Sequence, residues 1–317
     1  MNVSFSIALA ALALSSPVSD LHLPDPAAAA FRKAVAAAEV DSGGVVGVTA
    51  VHLESGRRLS VHGGEIFQMA SVFKVPVAIA VLGAVEKGAL RLDQDVEIRP
   101  ADRQEVGPLY DDWKPGMKVT VGRMVDVMLV YSDNTAADKL VDLLGGPSAV
   151  EKALTARGVA GIRISLDERG MGAAMKRDLT AFERGAQNGA SPDAMVEMLA
   201  RLFRGELLPR PRTDFILDAM RRCATGGKRL RAGLPKGTEV RDKTGTVRSC
   251  SNDAGIVTLP DGTHLIVAVF VRGGAEAAAR DAAIAFVARA AWQTFAPERS
   301  ASGGASDRAS LYAWSNP

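Results

Sequence analysis

The sequence has few of the residues that build disulfide frameworks and metal centres. It contains two cysteines, Cys223 and Cys250, and no Cys-x-x-Cys pair in 317 residues. This count excludes a disulfide scaffold and a cysteine-built zinc site, although it leaves open whether the two cysteines pair with each other. The four histidines do not occur at the spacing of a helical metal-binding motif. We therefore expect no histidine-built metal site.

An excess of charge of one sign and a long apolar run are also absent. Lys and Arg total 38 against 36 Asp and Glu, for a net charge of +2. Such a balance argues against a nucleic-acid partner. Beyond the start of the chain no run of about 18 apolar residues occurs, so we expect no membrane anchor. With 47% hydrophobic and 23% charged residues, the composition is that of a globular protein with one large or two moderate domains.

The two ends of the chain have the composition of segments that lie outside a fold. Residues 5–14 (FSIALAALAL) form an apolar run of signal-peptide length, and Ala13-Leu14-Ser15 is a small-x-small sequence. We predict a signal peptide over residues 1–19 and a periplasmic or secreted protein. The alternative is a disordered apolar start, because Met1–Ser4 contains no Lys or Arg. The Ser/Gly/Ala-rich residues 299–317 predict a disordered tail.

Apolar periodicity predicts strands near both ends of the chain and helices between them. Strands are predicted over 45–53, 57–61, 240–243, 254–258 and 265–271. Helices are predicted over 31–40, 71–87, 120–131, 135–144, from 147, over 191–203 and over 275–295. This order predicts an α/β fold of the α+β type. One antiparallel sheet with flanking helices would comprise 31–70 and 223–298, and an all-α domain over 71–222 would be inserted into it.

The first motif with chemical meaning is Ser-Val-Phe-Lys, from Ser71 to Lys74. Positions i and i+3 of a helix share a face, so the Lys74 amine can reach the Ser71 hydroxyl. We expect apolar neighbours such as Phe67 and Val77 to disfavour the charged form of Lys74, which would make it a base. By itself the motif also fits a capping serine and a lysine whose ammonium group lies in solvent.

Two further polar motifs follow, Ser-Asp-Asn at 132–134 and Lys-Thr-Gly-Thr at 243–246. In the first, a hydroxyl and a carboxamide at i and i+2 can both face a cleft, while Asp133 is predicted to cap the next helix. In the second, a glycine lets a substrate approach the strand backbone closely. Taken singly, the first also fits a group of capping residues and the second a solvated strand end.

Taken together, the three motifs resemble the SxxK, SDN and KTG set of class A β-lactamases and penicillin-binding proteins. They occur in this order, 61 and 111 residues apart, and from about residue 45 to 291 the chain is similar to class A β-lactamases, including Leu-Gly-Gly-Pro at 144–147. The resemblance implies a β-lactamase/D,D-peptidase-like fold with the site between its two parts. It further implies a monomer that needs no metal or organic cofactor and acts on a β-lactam or a cell-wall peptide.

The resemblance also implies a role for each motif residue. Ser71 would be the nucleophile, Lys74 its base or proton relay, and Ser132 the proton donor to the lactam nitrogen. The backbone N–H groups of Ser71 and Thr246 would form the oxyanion hole. Arg229 lies where some members have a carboxylate-binding arginine, and the alternative is a surface arginine. The substrate-binding set is Asn134 for the side-chain amide, Lys243 for positive potential, Thr244 for the carboxylate, and Gly245, Thr246 and Arg229.

One stretch departs from the family. Hydrolysing members carry a Glu, with an Asn four residues on, that activates the water for deacylation. Aligning the Leu-Asp pair at 166–167 places Gly170 at the position of that Glu. Three residues of this stretch are candidates for the missing groups, Glu168 or Glu183 as base and Asn188 as the Asn partner, and each can instead be a solvated loop residue. The resemblance thus supports acylation more firmly than turnover, and leaves a β-lactamase, a D,D-peptidase or esterase, and a penicillin-binding sensor with little turnover.

Overall fold

The structure, a computed structural model, describes residues 21–22, 25–185, 187–274 and 276–296. The predicted signal peptide at 1–19 and the predicted tail at 299–317 lie outside these residues. The strands are β1 (Leu21–His22), β2 (Gly44–His52), β3 (Arg57–Val61), β4 (Phe67–Gln68), β5 (Asp95–Glu97), β6 (Lys118–Thr120), β7 (Gly189–Ala190), β8 (Val240–Val247), β9 (Cys250–Thr258) and β10 (His264–Gly273).

The described residues form eleven α-helices, several of which the sequence pattern predicts. They are α1 (Asp25–Ser42), α2 (Lys74–Glu86), α3 (Pro108–Asp111), α4 (Val121–Val130), α5 (Asn134–Leu144), α6 (Pro147–Thr155), α7 (Glu168–Arg177), α8 (Leu179–Glu183), α9 (Pro192–Phe203), α10 (Arg210–Arg221) and α11 (Ala277–Phe295). Among the described residues, no helix is long and apolar enough to cross a bilayer.

The main sheet joins strands from both ends of the chain. Within the described residues its order is β1-β3-β2-β10-β9-β8. Strand β2 pairs antiparallel with β10, from Gly44 opposite Gly273 to His52 opposite Leu265. Only the short β1, parallel to β3, breaks the antiparallel pattern of these strands. The predicted fold class, an antiparallel sheet with flanking helices and a helical part, is confirmed.

The sheet is buried on both faces. Along β10, Val267 and Val269 belong to an apolar core that also contains residues of α1 and α11. The alternate residues Ala268 and Phe270 belong to a second core shared with the helical part of the chain. Because successive strand side chains point to opposite faces, a strand covered on both faces is apolar at every position. The domain limits at 71 and 222 stay a prediction; α9, inside that range, packs against β10 and β2.

Four helices of the described residues were not predicted from the sequence, the short α3 together with α7, α8 and α10. Helix α10 begins after Pro209 and has a charged sequence, RPRTDFILDAMR. Helices α7 and α8 occupy a stretch for which a loop is predicted, and α7 contains two glycines, which lower helix propensity. In such segments tertiary contacts outweigh local propensity. The structure also answers the cysteine question, since Cys223 and Cys250 are both free and buried.

Candidate active site

The segment that carries Ser71 is held to the sheet. Ser71 lies in a 3-10 turn, Ala70–Phe73, that leads directly into α2. The Asn252 side-chain nitrogen on β9 donates hydrogen bonds to the backbone oxygens of Gln68 (2.7 Å) and Met69 (3.0 Å). Ala70 has a positive φ of 46°, which is unfavourable for a residue with a Cβ. A conformation of this kind persists where the surroundings hold it in place, and such positions cluster at functional sites.

Lys74 lies one helical turn from Ser71, as the spacing predicts, and its side chain is fully buried. Its Nζ lies 3.2 Å from Ser71 Oγ, 2.7 Å from Ser132 O, 3.2 Å from Ser132 Oγ, 2.5 Å from Asn134 Oδ1 and 2.9 Å from Glu168 Oε1. The expectation that apolar neighbours surround this amine is wrong, because its close contacts are oxygen atoms. An ammonium group has three protons, so these oxygens compete for them.

Ser132 joins the first motif to the third. Its Oγ lies 3.2 Å from Lys74 Nζ and 3.1 Å from Lys243 Nζ. Both amines can donate to this oxygen, which leaves the hydroxyl proton of Ser132 available to another acceptor. Ser132 also has a positive φ of 59°. Its neighbour Asp133 caps α5 as predicted, since Oδ1 accepts from the backbone nitrogen of Ala136 at 2.7 Å.

Asn134 begins α5 beside these two residues. Its Oδ1 accepts from Lys74 Nζ at 2.5 Å, and its Nδ2 donates to the backbone oxygen of Glu105 at 2.8 Å. The carboxamide therefore spans from the amine of Lys74 to the backbone at Glu105.

Lys243 is the second buried amine of the site. Its Nζ donates to Ser132 Oγ at 3.1 Å and to the backbone oxygen of Thr244 at 2.8 Å. Burial lowers the pKa of Lys243 to about 8, and the positive charge of Lys74 acts in the same direction. The nearby Cys223 and Asp242 oppose this shift. The site therefore has a buried cation whose charge changes close to physiological pH.

Strand β8 runs directly beside Ser71. A Cβ placed on Gly245 would overlap the backbone oxygen of Met69 and lie 3.1 Å from the backbone nitrogen of Ser71. Only glycine allows this close approach. Of the two threonines that flank Gly245, Thr244 is buried and Thr246 is exposed. The approach brings Thr244 and Thr246 next to the turn of the nucleophile.

Arg229 is buried, with 5% of its surface exposed, so the alternative of a surface arginine is wrong. Its Nε donates to Asp281 Oδ1 at 2.7 Å. Its Nη1 donates to the backbone oxygens of Gly245 (3.0 Å) and Asn252 (2.9 Å), and its Nη2 donates to Thr246 Oγ1 at 2.6 Å. Arg229 thus braces β8 and orients the Thr246 hydroxyl, and direct contact with a substrate carboxylate stays a prediction.

Glu168, two residues before the Gly170 that the sequence alignment selects, lies beside Lys74. Its side chain is 13% exposed and its Oε1 lies 2.9 Å from Lys74 Nζ. Gly170 lies in the first turn of α7, where its backbone nitrogen donates to the capping Asp167 Oδ1 at 2.7 Å. Glu168, and not the residue that the alignment on residues 166–167 selects, therefore carries the carboxylate beside Lys74, and its role as base stays a prediction. The burial of the Glu168 side chain and its contact with Lys74 exclude the alternative that Glu168 is a solvated loop residue.

Asp138 on α5 holds the start of α7 in place. Its carboxylate accepts from the backbone nitrogens of Glu168 at 2.6 Å and Arg169 at 3.2 Å. Burial raises the pKa of Asp138 to about 7, and the negative charge of Asp167 adds to this effect. The backbone that carries Glu168 thus depends on a buried carboxyl group of another helix.

The other two candidates of this stretch lie elsewhere. Glu183, at the end of α8, accepts a hydrogen bond from the Ser249 hydroxyl in the turn between β8 and β9. Asn188 is fully buried. Its Oδ1 accepts from the backbone nitrogens of Ser165 (3.0 Å) and Leu166 (2.9 Å). Asn188 therefore fastens the stretch that leads to Glu168 and is not a solvated residue.

Comparison with known proteins places this site in a family. The model of the β-lactamase enzyme family matches residues 29–295. The chain belongs to the β-lactamase enzyme family. Within it, the chain is 31% identical to β-lactamase VEB-1 of Pseudomonas aeruginosa, over 79% of this chain and 85% of that protein. These matches confirm the class A resemblance, and the chain is a class A β-lactamase family serine hydrolase.

Two solved structures are similar to this β-lactamase family member along most of its length. The crystal structure of a β-lactamase from Chitinophaga pinensis is 34% identical, with a TM-score of 0.77, and the match covers 83% of this chain and 98% of that one. PBP-A, as a mutant in an acyl-enzyme complex with penicillin G, is 27% identical, with a TM-score of 0.75, and the match covers 84% and 96%. The similarity therefore extends to β-lactamases and to PBP-A, whose mutant was solved as an acyl-enzyme with penicillin G.

Sequence reasoning missed Asp138 in this β-lactamase family member. Asn134 and Asp138 are four residues apart on α5, so both lie on the same helix face. Asp138 is buried among residues such as Ala137 and Leu140. A carboxylate at i+4 from a candidate site residue, within an otherwise apolar helix face, is the signal that could have identified it.

Proposed function

We propose that this class A family member is a β-lactamase that opens the lactam amide through an acyl-enzyme at Ser71 and releases it with Glu168 as general base. The observation that carries this proposal is the contact of Glu168 Oε1 with Lys74 Nζ at 2.9 Å, beside Ser71. The motif residues account for acylation, and Glu168 supplies the base that turnover requires. The substrate class is that of the family.

In acylation, Ser71 Oγ attacks the lactam carbonyl carbon. Its proton passes to the Lys74–Glu168 pair, and the backbone N–H groups of Ser71 and Thr246 stabilise the negative oxygen. As the carbon–nitrogen bond breaks, the nitrogen takes the proton of the Ser132 hydroxyl. Ser132 regains a proton from Lys74, whose Nζ lies 3.2 Å from its Oγ. The net transfer is of the Ser71 proton to the lactam nitrogen.

Binding of the substrate rests on the polar groups that flank Ser71. Asn134 would bind the side-chain amide of the lactam, and the Thr244 hydroxyl would donate to its carboxylate. Lys243, which is fully buried, would add positive potential while it is protonated. Arg229 would act on the same end of the substrate through Thr246, whose hydroxyl it contacts at 2.6 Å.

In deacylation, the Glu168 carboxylate removes a proton from a water molecule as its oxygen adds to the ester carbonyl. The ester bond to Ser71 then breaks, Ser71 Oγ takes the proton that Glu168 had removed from the water, and the acid product leaves with the water oxygen. General-base assistance of this kind contributes about 10²–10⁴ in rate. Loss of Glu168 should therefore slow deacylation more than acylation, because the Lys74 side chain, as the neutral amine, can still accept the Ser71 proton.

Intact-mass spectrometry with penicillin G over time tests this proposal. We expect a transient adduct in the wild type, none in Ser71→Ala, and a persistent adduct in Glu168→Gln. Glu183→Gln is the matched control, since Glu183 belongs to the same stretch but contacts Ser249, and it should turn over like the wild type.

Three results would each contradict one part of the proposal. An adduct on Ser71→Ala would show that another residue is the nucleophile. Turnover by Glu168→Gln at the wild-type rate would mean that another group activates the water. A wild-type adduct that lasts for hours would replace the β-lactamase with a penicillin-binding sensor.

The similarity to PBP-A favours a second candidate function, a D,D-peptidase or esterase that uses the same serine. Release of D-alanine from a peptide ending in D-Ala-D-Ala, abolished by Ser71→Ala, would support it. A periplasmic or secreted location remains part of the proposal, and the N-terminal sequence of the protein recovered outside the cytoplasm would test it.

A further inference from the structure

We infer that Thr225 is a positioning residue that directs the hydroxyl proton of Thr244 toward the carboxylate of the substrate. This inference rests on the proposed function and deepens it at the carboxylate end of the site. Thr225 lies in the segment between α10 and Arg229, outside the three motifs. It does not touch the reacting atoms, and it acts through Thr244.

The Thr225 and Thr244 hydroxyl oxygens lie 2.5 Å apart. Each hydroxyl has one proton and can accept through its lone pairs. Only one of the two protons can lie between these oxygens. If Thr244 donates to Thr225, its lone pairs face the substrate and repel a carboxylate. If Thr225 donates to Thr244, the Thr244 proton is available to the carboxylate.

The surroundings of Thr225 favour the second arrangement. Among the described residues, its hydroxyl contacts Thr244 Oγ1 at 2.5 Å and Cys223 Sγ at 3.4 Å. Sulfur is a weak acceptor. Burial raises the pKa of the Cys223 thiol, so the sulfur stays protonated and does not become a thiolate that would draw the Thr225 proton away. The Thr225 proton therefore goes to Thr244.

The same segment also fixes the other branch of the Thr244 side chain. A Cβ on Gly226 would overlap the Thr244 methyl group, so the backbone at Gly226 packs directly against that methyl. With its hydroxyl against Thr225 and its methyl against Gly226, Thr244 is held in one rotamer. Residues 225 and 226 thus set both the rotamer of Thr244 and the direction of its proton.

Acylation kinetics with penicillin G and with its methyl ester test this inference, because only the free acid presents a carboxylate. Thr225→Val keeps the shape and removes the hydroxyl. We expect it to raise KM for the acid about 3- to 10-fold, the effect of one lost hydrogen bond, with little change in kcat. The methyl ester should be acylated as by the wild type.

Two further variants separate orientation from folding. Thr225→Ser retains the hydroxyl and should restore the wild-type KM for the acid. Thr238→Val removes a threonine hydroxyl that bonds only within its own loop, to the backbone oxygen of Pro235, and should leave both substrates unchanged. The active-site concentration of each variant is measured from its acyl adduct. Partial misfolding therefore does not alter the ratio of the kinetic constants for the acid to those for the ester.

Two results would overturn the inference. The first is a Thr225→Val variant with wild-type kinetics for the acid. The second is an equal loss for acid and ester, which would mean that Thr225 supports the fold alone. Failure of the proposed function gives a different result. If Ser71 is not acylated, the wild type and every variant form no adduct with either compound, and if the protein is a sensor, the wild-type adduct lasts for hours.

Discussion

At the scale of the residue, the site depends on two buried amines that share one hydroxyl. Lys74 Nζ and Lys243 Nζ lie 3.2 and 3.1 Å from Ser132 Oγ. Lys74 also lies against the Glu168 carboxylate, whereas Lys243 lies near another positive charge in a buried environment, which lowers its pKa to about 8. The two lysines therefore differ in what balances their charge, although both belong to the same site.

The low pKa of Lys243 predicts a pH dependence of substrate capture. As the pH rises through about 8, free Lys243 loses its proton and no longer attracts the substrate carboxylate. We expect kcat/KM for penicillin G to fall over this range, since kcat/KM reports the free enzyme. In Lys243→Arg the guanidinium keeps its charge, so the fall should move to higher pH. Measurement of kcat/KM from pH 6 to 10 checks this.

The control for this experiment is Lys236→Arg, an exchange at an exposed lysine of the loop before β8. It should keep the wild-type profile. The same inflection near pH 8 in Lys243→Arg would assign the titration to a different group.

Arg229 predicts a combined effect on stability and binding. Arg229→Ala leaves Asp281 without its partner and removes the donors to Gly245 O and Asn252 O. Because the guanidinium is buried, we expect the free energy of unfolding to fall by about 2–3 kcal/mol. KM for penicillins should rise more than kcat falls, since Thr246 loses its orienting bond. Urea unfolding and steady-state kinetics measure the two effects.

An exposed ion pair serves as the reference for Arg229. Arg210 and Asp214 on α10 are 64% and 51% exposed, and Arg210→Ala should change stability by no more than about 1 kcal/mol. If Arg229→Ala is equally mild and leaves KM unchanged, Arg229 neither braces β8 nor contributes to binding.

At the scale of the element, α7 is a weak helix that other elements hold in place. It contains two glycines in ten residues, and its first turn is fastened by the Asp167 cap and by Asp138 from α5. Arg169 contacts Asp138, Asp142 and Asp167. The position of Glu168 thus depends on a cluster of carboxylates around one arginine.

Asp138 predicts an unusual pH dependence of stability. Its pKa is about 7 in the folded protein against a usual value of 3.8, so the folded state holds this proton more tightly. The contribution of Asp138 to the free energy of unfolding is therefore highest below about pH 4. It falls by at most about 4 kcal/mol as the pH rises to about 7. In Asp138→Asn this contribution is absent. Urea unfolding at pH 5 and 7.5 should show a smaller loss with rising pH in the variant.

Asp142→Asn provides the comparison for Asp138, since Asp142 contacts the same Arg169 but is 43% exposed. It should retain the slope of the wild type between pH 5 and 7.5. Equal slopes for Asp138→Asn and the wild type would show that Asp138 does not carry the proton.

At the scale of the whole molecule, the sheet separates two apolar cores and belongs to both. Phe270 contributes to the core shared with the helical part, and Val269 next to it contributes to the core with α1 and α11. Because one strand takes part in both cores, neither core can come apart without exposing a face of the sheet. The sheet and the helical part should therefore unfold together.

Two tryptophans report separately on these cores. Trp113 packs against the core shared with the helical part, and Trp292 packs against the core with α1 and α11. We expect fluorescence of the two single-tryptophan variants (the other tryptophans replaced by Phe) and far-UV circular dichroism to give one coincident urea transition. Transitions at different urea concentrations for Trp113 and Trp292 would mean that the two parts unfold independently.

Local chemistry explains which predictions from the sequence were confirmed. The Ser71–Lys74 contact follows from i,i+3 spacing, and the caps at Asp133 and Ser191 follow from side-chain acceptors three residues before the backbone nitrogens that they bind. The sheet strands followed from apolar runs and turns. Burial of Arg229 did not follow, because its sequence neighbours do not contain the groups that it contacts.

The amino-acid sequence by itself determined the nucleophile motif, the family and the antiparallel sheet built from both chain ends, since these follow from short motifs and from the apolar pattern and order of the elements. The tertiary structure decided that Glu168 and not Gly170 lies beside Lys74, that Asn188 and Asp138 fasten its backbone, and that Thr225 contacts Thr244. These contacts join residues from 19 to 94 positions apart, which is too far for the spacing within one element to predict them. Only the packing of the helices and β8 around the site sets such distances.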